Sequence, residues 1–342
     1  MNRGEWSEAY ALLTLASSSD FFLVDKFLTN QNTTQYKVSS ILLPTDIPNS
    51  FVTLTLQNNS VLSSFNGQSN LIPLLEIKNN ATQLYNQILT STTTTFPFNL
   101  LDSLWTKFFN PQIKASQSAK TDIRLEITDT ASQQKSVSGF SIKSNLGDPT
   151  SLLNASQLTN FLYEAHSNIQ TTFLKPKKLG KFVISVPIKH HGSITTTYKQ
   201  NLLAISPHLE DLISYLLIEY FGASNREKYI KDLIPLVVNK NPLNFSNLGL
   251  YKQIISQFLT ITAFGMVPRS IWNGTLSANG GMIVVKNNGD LGNFYLNDSQ
   301  SKSNLSDYLY EHTFLDTAST SRHDFGKVFD NKFFKFNLLI RL

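Results

Sequence analysis

Cysteine is absent from the 342-residue chain, and charged residues make up only 15% of it. The lack of cysteine excludes disulfide scaffolds, thiol nucleophiles, thiolate zinc sites and iron–sulfur clusters. No apolar run approaches the roughly 20 residues that a membrane-spanning helix needs. Glu5 and Glu8 interrupt the basic and apolar leader that a signal peptide requires. We therefore expect a cytoplasmic protein that does not bind a membrane.

The residues that are abundant indicate a folded protein. Hydrophobic residues make up 41% of the chain and include 24 Phe, which is enough for a sizeable core. The length suits one large domain or two ordinary ones. Disordered tails, collagen-like fibres and coiled coils are excluded by this composition.

The net charge of +5 is concentrated in one segment, residues 171–200, which contains six lysines and no acidic residue. These lysines are Lys175, Lys177, Lys178, Lys181, Lys189 and Lys199. A local block of cations beside a nearly neutral body is typical of a rim that contacts phosphates. A solvated loop and strand edge is the alternative interpretation.

Hydrophobic periodicity predicts a mixed α/β chain. Helices are predicted over residues 5–16, 151–173, 208–221 and 248–264. Strands are predicted over residues 50–56, 121–128, 139–144 and 181–188, with a strand-like run over 333–341. The Asn-Gly pair at 288–289 predicts a hairpin between strands 282–286 and 291–296. Residues 28–100 are rich in Asn and Thr, and we expect them to be irregular apart from short strands.

Two of these strands carry a pattern with chemical meaning. Alternation over 121–128 places Asp122 on a polar strand face, and alternation over 139–144 does the same for Ser141 and Lys143. The PD-(D/E)XK nuclease site has this arrangement. An Asp lies on one strand, a turn follows, and the next strand carries a hydrogen-bond acceptor two residues before a Lys. There the Asp holds a divalent cation against the scissile phosphate and the Lys assists the attacking water. The alternative is an exposed cross-strand ion pair worth under about 1 kcal/mol.

Longer segments extend this resemblance over most of the chain. They are GEWSE (4–8), TDIRLEIT (121–128), GFSIKSNLGDPTSLLNASQLTNFLY (139–163), FGMVPRSIWNG (264–274), NGGMIVVKNNG (279–289), LDTASTSRHDFGKV (315–328) and the terminal FFKFNLLIRL (333–342). In this order they resemble the HpaII family of type II restriction endonucleases. The resemblance is weakest over 28–100 and 200–245.

The resemblance implies an α/β fold with a PD-(D/E)XK core, in which helices flank a mixed central sheet, and with additional α+β elements that read DNA. Residues 1–200 are then the nuclease core with an inserted irregular region. Residues 201–342 are the DNA-recognition and C-terminal part, or the two form one continuous domain. The implied activity is Mg²⁺-dependent cleavage of both strands of a short palindrome, and CCGG is the site associated with the family's namesake. The implied partners are double-stranded DNA, a second copy of the chain, and a DNA methyltransferase that protects the host.

The resemblance assigns metal binding to Asp122 and water activation to Lys143. Ser141 stands where the superfamily usually has an acidic residue, so another carboxylate must serve. The candidates are Glu8, Glu5, Glu126, Asp148 and Glu164. We favour Glu8 as the second metal ligand, because a Glu from the first helix commonly reaches this site in the superfamily. The alternative for Glu8 is an acidic residue favoured by the helix dipole.

Arginine binds guanine in the major groove through two hydrogen bonds. We expect Arg269, in a proline-containing loop, and Arg322, in a polar loop, to read bases. His323, Lys286 and Ser321 are the expected supporting residues.

Three further residues are expected near the DNA backbone. Asn154 would position a phosphate or a water, and Lys177 and Lys178 would contact phosphates. Local capping is the alternative for Asn154. An ion pair with Asp316 or Asp324 is the alternative for Arg322.

Two other functions remain open from the sequence. One is a repair or structure-specific nuclease built on the same core. The other is a non-catalytic DNA-binding module.

Overall fold

The computed structural model describes residues 1–31, 35–93, 95–111, 120–166, 188–222, 227–319, 323 and 328–342. The chain divides into two compact units. The first comprises Met1–Thr150 and Leu276–Leu305, and the second comprises Ser151–Thr275 and Ser306–Leu342. This division differs from a boundary near residue 200, because the chain leaves the first unit after Thr150 and later returns to it. Among the described residues, no helix is long and apolar enough to cross a bilayer.

The elements are numbered in chain order within the described residues. The helices are α1 (Arg3–Ala16), α2 (Leu74–Thr90), α3 (Asp102–Lys107), α4 (Thr196–Ile205), α5 (Leu209–Phe221), α6 (Ile230–Lys240), α7 (Gly249–Phe264) and α8 (Ser299–His312). The strands are β1 (Tyr36–Pro44), β2 (Phe51–Leu56), β3 (Ser60–Phe65), β4 (Gln68–Pro73), β5 (Ile123–Asp129), β6 (Lys135–Ser144), β7 (Ser151–Leu153), β8 (Asn160–Ala165), β9 (Ile188–Ser193), β10 (Gly281–Val285), β11 (Leu291–Tyr295), β12 (Phe314–Leu315), β13 (Val328–Phe329), β14 (Phe333–Asn337) and β15 (Ile340–Arg341).

A large mixed sheet forms the centre of the first unit. Eight of the described strands lie in the order β11-β10-β6-β5-β1-β2-β3-β4. Strands β6 and β10 run parallel, and every other neighbouring pair in the sheet is antiparallel. Helix α1 packs against α2, β6 and β10. The expected mixed α/β architecture, with a central sheet flanked by helices, is confirmed at this level.

Alternation along β5 explains how this strand sits in the sheet. Ile123, Leu125 and Ile127 are buried, whereas Arg124 between them is exposed. Strand β6 is different, because residues 138–142 are buried on both faces. The face of β6 that carries Ser141 is therefore covered rather than open to solvent.

The predicted helix over residues 151–173 is wrong. The described part of this segment forms β7, a 3₁₀ turn at Gln157–Thr159, and β8. Strand β7 pairs with β15, and β8 pairs with β14 and β9. Tyr163 of β8 stacks on Phe334 of β14 with ring centroids 5.5 Å apart. Long-range pairing thus overrides the local apolar spacing that suggested a helix. Residues 167–173 lie outside the described residues.

The described part of residues 28–100 is more regular than expected. It forms the four strands β1–β4 and the 17-residue helix α2. A turn with positive φ at Asn66 and Gly67 joins β3 to β4. The buried residues of α2 recur at helical spacing, from Ile77 through Ala81 to Leu84.

Several other predictions are confirmed. The hairpin is present as β10 and β11, and the helices over 208–221 and 248–264 are present as α5 and α7. The terminal run forms two strands, β14 and β15. Helices α2, α3, α4, α6 and α8 were not predicted. The predicted strand over 181–188 lies outside the described residues except for Ile188, which begins β9.

Candidate active site

The pairing of β5 with β6 brings Asp122 to the middle of its neighbour. The Asp122 amide donates a hydrogen bond to the Phe140 carbonyl at 2.9 Å. The Ile142 amide donates to Asp122 Oδ2 at 2.7 Å, and the Ser141 hydroxyl donates to the same oxygen at 3.3 Å. The other oxygen, Oδ1, accepts no hydrogen bond from a described residue. The carboxylate is therefore held by one oxygen and can offer the other to a ligand.

Two lysines lie within electrostatic reach of this carboxylate. Burial raises the pKa of Asp122, while Lys143, the Ile142 amide, the Ser141 hydroxyl and Lys120 act in the opposite direction. Burial also lowers the pKa of Lys120 to about 8, with the like charge of Lys143 adding to the effect and Asp122 opposing it. The structure thus brings Asp122, Ser141 and Lys143 together as predicted, and it adds Lys120.

Sequence reasoning missed Lys120. The available signal was its spacing, because a residue two positions before Asp122 shares its side of an extended chain. The Lys120 amide donates to the Ser277 hydroxyl at 3.2 Å, and the Thr121 hydroxyl donates to the Ser277 carbonyl at 2.5 Å. A Cβ added at Gly139 would lie 2.7 Å from Thr121 and 2.9 Å from the Ser277 carbonyl. Glycine is needed at 139 because this contact passes directly over it.

Two of the candidate replacement carboxylates in the first unit are held by other groups. Glu5 forms a capping box with Asn2, with hydrogen bonds of 2.8 and 2.9 Å. Glu126 accepts a hydrogen bond from Ser39 at 2.8 Å and pairs with Lys135 at 3.0 Å. The Ser39 hydrogen bond is the main cause of the lowered pKa of Glu126. Both carboxylates therefore have structural roles.

In the second unit, Glu164 is engaged in the same way. It lies 2.6 Å from Lys332 Nζ and 2.9 Å from His191 Nε2, and these contacts lower its pKa. Glu8 and Asp148 are the remaining candidates. Glu8 is a partly buried residue of α1, the helix that packs against β6. Asp148 lines a cavity of about 180 Å³ at the start of α1.

The described residues contain no group of three or more acidic or histidine side chains arranged to hold a metal ion. Mg²⁺ is usually held by one or two carboxylates, with waters and substrate phosphates completing its shell. Oδ1 of Asp122, which has no hydrogen-bond donor among the described residues, suits that kind of ion. The donor set therefore fits a divalent cation that relies on water and phosphate for most of its ligands.

The predicted base-reading residues have separate surroundings in their own units. Arg269 follows α7 in an exposed position and forms no hydrogen bond or ion pair with any described residue. Lys286 follows β10, where its ammonium donates to Asn30 Oδ1 at 2.8 Å. Burial lowers the pKa of Lys286. Arg269 is therefore available to a ligand, whereas Lys286 is already engaged.

His323 is held through its main chain. Its amide donates to the Ser319 carbonyl at 3.2 Å, and its carbonyl accepts a hydrogen bond from Asn160 Nδ2 at 3.0 Å. Asn160 Oδ1 in turn accepts from Asn337 at 2.8 Å. Asn160 lies at the start of β8 and has a structural role. Asn154 was expected on a helix, but it is an exposed residue directly after β7.

Four predicted DNA-contacting residues, Arg322, Ser321, Lys177 and Lys178, lie outside the described residues. Two other lysines of the basic segment are described. Lys189 is exposed on β9, and Lys199 pairs with Glu210 at 3.1 Å. The charge of Lys199 is thus offset by an acidic residue beyond the segment.

Comparisons with known proteins give a consistent result. A sequence profile of the family described as HpaII restriction endonuclease matches residues 2–342. The chain is 30% identical over 357 residues to the type II restriction enzyme HpaII of Haemophilus parainfluenzae, and the alignment covers 99% of this chain and 98% of that protein. No solved structure matches.

Proposed function

The chain belongs to the HpaII restriction endonuclease family and is a type II restriction endonuclease, and we propose that it uses Asp122 and Lys143 to hydrolyse phosphodiester bonds of double-stranded DNA. The observation that carries this assignment is the position of Asp122. Ser141 and Ile142 hold its carboxylate within electrostatic reach of Lys143, and Oδ1 accepts no hydrogen bond from any residue that the structure describes.

Mg²⁺ is the proposed cofactor, with Asp122 and Glu8 as its protein ligands. A bound Mg²⁺ would polarise a phosphoryl oxygen and lower the pKa of a coordinated water. Lys143 would orient the attacking water and neutralise charge that develops on the phosphate. The attacking water loses a proton as its oxygen bonds to phosphorus, the bond from phosphorus to one ester oxygen breaks, and that oxygen takes up a proton.

A PD-(D/E)XK core is the proposed fold family. Asp122 directly precedes β5, and the antiparallel partner strand β6 carries Ser141 and Lys143. Helix α1 packs beside β6. These features support the assignment. Ser141 occupies the position of the usual acid, and its hydroxyl orients Asp122 instead of binding metal. Glu8 on α1 is the proposed substitute.

The proposed substrate is a short palindrome of the CCGG type, cut by a homodimer. Arg269 and Arg322 would read guanine, with His323, Lys286 and Ser321 in support. Further proposed DNA contacts are Asn154, Lys177 and Lys178. A DNA methyltransferase of the same specificity would protect host DNA, and the cytoplasm is the proposed compartment.

Digestion of a sequenced plasmid tests this function. We expect the purified chain with Mg²⁺ to cut unmethylated plasmid into discrete fragments whose mapped ends share one palindrome. The same plasmid methylated at that site should stay intact. Cutting at random positions or only at junctions would favour a repair nuclease. No turnover at all would favour a binding module.

A further inference from the structure

One loop of the second unit carries an exposed arginine and has no regular structure of its own. This loop, called here the Arg269 loop, comprises residues 267–272 and follows α7. Arg269, Ser270 and Ile271 are exposed, and the apolar Ile271 is 59% exposed. The main chain of the loop forms no hydrogen bond to the main chain of any described residue. Side chains must therefore fix its shape.

A single buried side chain holds the main chain of this loop. Asn201 lies on α4, which packs against α7, and is only 1% exposed. Its Nδ2 donates to the Val267 carbonyl at 3.3 Å and to the Ser270 carbonyl at 2.9 Å. Its Oδ1 accepts a hydrogen bond from the Trp272 amide at 2.8 Å. These three bonds lie on both sides of Arg269 and leave its side chain free to meet a ligand.

Holding the loop in one shape matters for the contact proposed for Arg269. An arginine that reads guanine must meet two acceptors at once, which requires its position to be held within about 0.5 Å. A loop that became ordered only on binding would lose part of the contact energy to its own ordering. Pro268, directly before Arg269, removes further freedom because its ring fixes φ. The Arg269 loop is thus ordered before DNA arrives.

We propose that Asn201 is a positioning residue for base recognition, which holds the Arg269 loop in the conformation that reads the site. The inference rests on the proposed nuclease function and on base reading by Arg269. Asn201 does not touch DNA itself, because it is buried and both N–H groups of its amide are used within the protein. Its removal should therefore weaken recognition only through Arg269.

Asn241 offers a matched control at the other end of α7. Its Nδ2 donates to the Phe245 carbonyl at 3.2 Å, and its Oδ1 accepts from the Phe245 amide at 3.0 Å and the Tyr251 hydroxyl at 2.9 Å. The loop that it holds, residues 242–248, contains no charged residue. Because the φ of Asn241 is +40°, glycine removes this side chain without straining the backbone.

The test is a double-mutant cycle between Asn201→Ala and Arg269→Ala, with Asn241→Gly measured alongside. The measured quantity is the discrimination ratio, which is the single-turnover cutting rate with Mg²⁺ for the mapped cognate duplex divided by that for duplexes with one changed base pair. Thermal unfolding of each variant measures the structural cost separately. A purely structural role for Asn201 would lower the unfolding temperature and leave the discrimination ratio unchanged.

We expect Asn201→Ala to lower the discrimination ratio by about 5-fold or more, within the range of one bidentate contact. Once Arg269 is already alanine, the same substitution should change the ratio by less than about 2-fold. Asn241→Gly should lower thermal stability and leave the ratio unchanged. An Asn201→Ala protein with the wild-type ratio would overturn the proposal, as would a loss that persists in full without Arg269.

Should Asn201→Ala fold poorly, Asn201→Ser keeps a small polar side chain whose single O–H cannot donate to both loop carbonyls. A folded Asn201→Ser protein with the wild-type ratio would also overturn the proposal. An Arg269→Ala protein with the wild-type ratio would refute base reading by Arg269, and this inference with it, while leaving the nuclease function intact. A wild-type chain that cuts no DNA would instead overturn the proposed function.

Discussion

Charged groups are arranged differently around Asp122 and in the second unit. In the second unit, Glu164 pairs with Lys332 at 2.6 Å and with His191 at 2.9 Å. Glu210 similarly pairs with Lys199 at 3.1 Å. Each of these carboxylates has a cation at close range. Asp122, by contrast, is a partly buried carboxylate within electrostatic reach of two lysines, Lys143 and Lys120.

The two carboxylates Asp122 and Glu164 therefore shift in opposite directions. Contacts with Lys332 and His191 lower the pKa of Glu164, because they favour its charged form. Burial raises the pKa of Asp122 despite its hydrogen bonds and the nearby lysines. A carboxylate whose charged form is disfavoured by burial is a candidate functional residue. A carboxylate whose charge is paired with nearby cations is expected to contribute to the stability of the fold.

The largest expected effect comes from Asp122→Asn. We expect cutting with Mg²⁺ to fall by about 10³-fold or more, because a neutral amide is a poor ligand for a hard cation. Thermal stability at pH 8 should be unchanged or higher. A carboxyl whose pKa is raised by folding costs stability above that pKa, and the amide removes this cost. An Asn side chain can still accept the hydrogen bonds from Ser141 and Ile142.

Glu164→Gln is the matched control for that experiment. It should lower thermal stability at pH 7, because the lowered pKa contributes stability that is present above the unfolded value and lost as the pH falls through the folded value. The cutting rate of the folded protein should not change. Retained cutting in Asp122→Asn, or in Lys143→Met, would refute the active-site assignment.

The second prediction concerns the missing acid at Ser141. Glu8→Gln should lower the cutting rate by about 10²-fold, since one metal ligand is lost. Glu126→Gln should leave the rate near that of the wild type, because Ser39 and Lys135 already engage that carboxylate. Cutting rates measured over a range of Mg²⁺ concentrations distinguish the two variants. Equal rates for Glu8→Gln and the wild type would exclude Glu8 as a ligand.

The sequence predicted the placement of Asp122 beside Ser141 because the information is local. Alternation along β5 and the short turn to β6 are enough to predict Asp122 opposite Ser141. Helices α5 and α7 were predicted for a similar reason, since their long apolar patterns end near Gly222 and Gly265.

Distant contacts explain what the sequence could not predict. Tyr163 fits an apolar helical pattern as readily as a strand, and its pairing with Phe334 decides the outcome. Lys120 looks like a solvated residue before a strand until Ser277 is brought beside it. Neither partner can be identified from spacing within one segment.

The smallest expected effect comes from comparing two cationic residues of the second unit, one without a partner among the described residues and one in an ion pair. Arg269 is exposed and has no partner among the described residues, whereas Lys199 is paired with Glu210. We expect Arg269→Ala to reduce discrimination against a single changed base pair by about 1–3 kcal/mol, the value of one bidentate contact with guanine. Lys199→Gln should alter neither discrimination nor the salt slope. Binding measured at several salt concentrations, with the cognate site and with single-pair variants, gives both quantities. If Arg269→Ala weakens binding equally for all sites, Arg269 contacts phosphate and does not read bases.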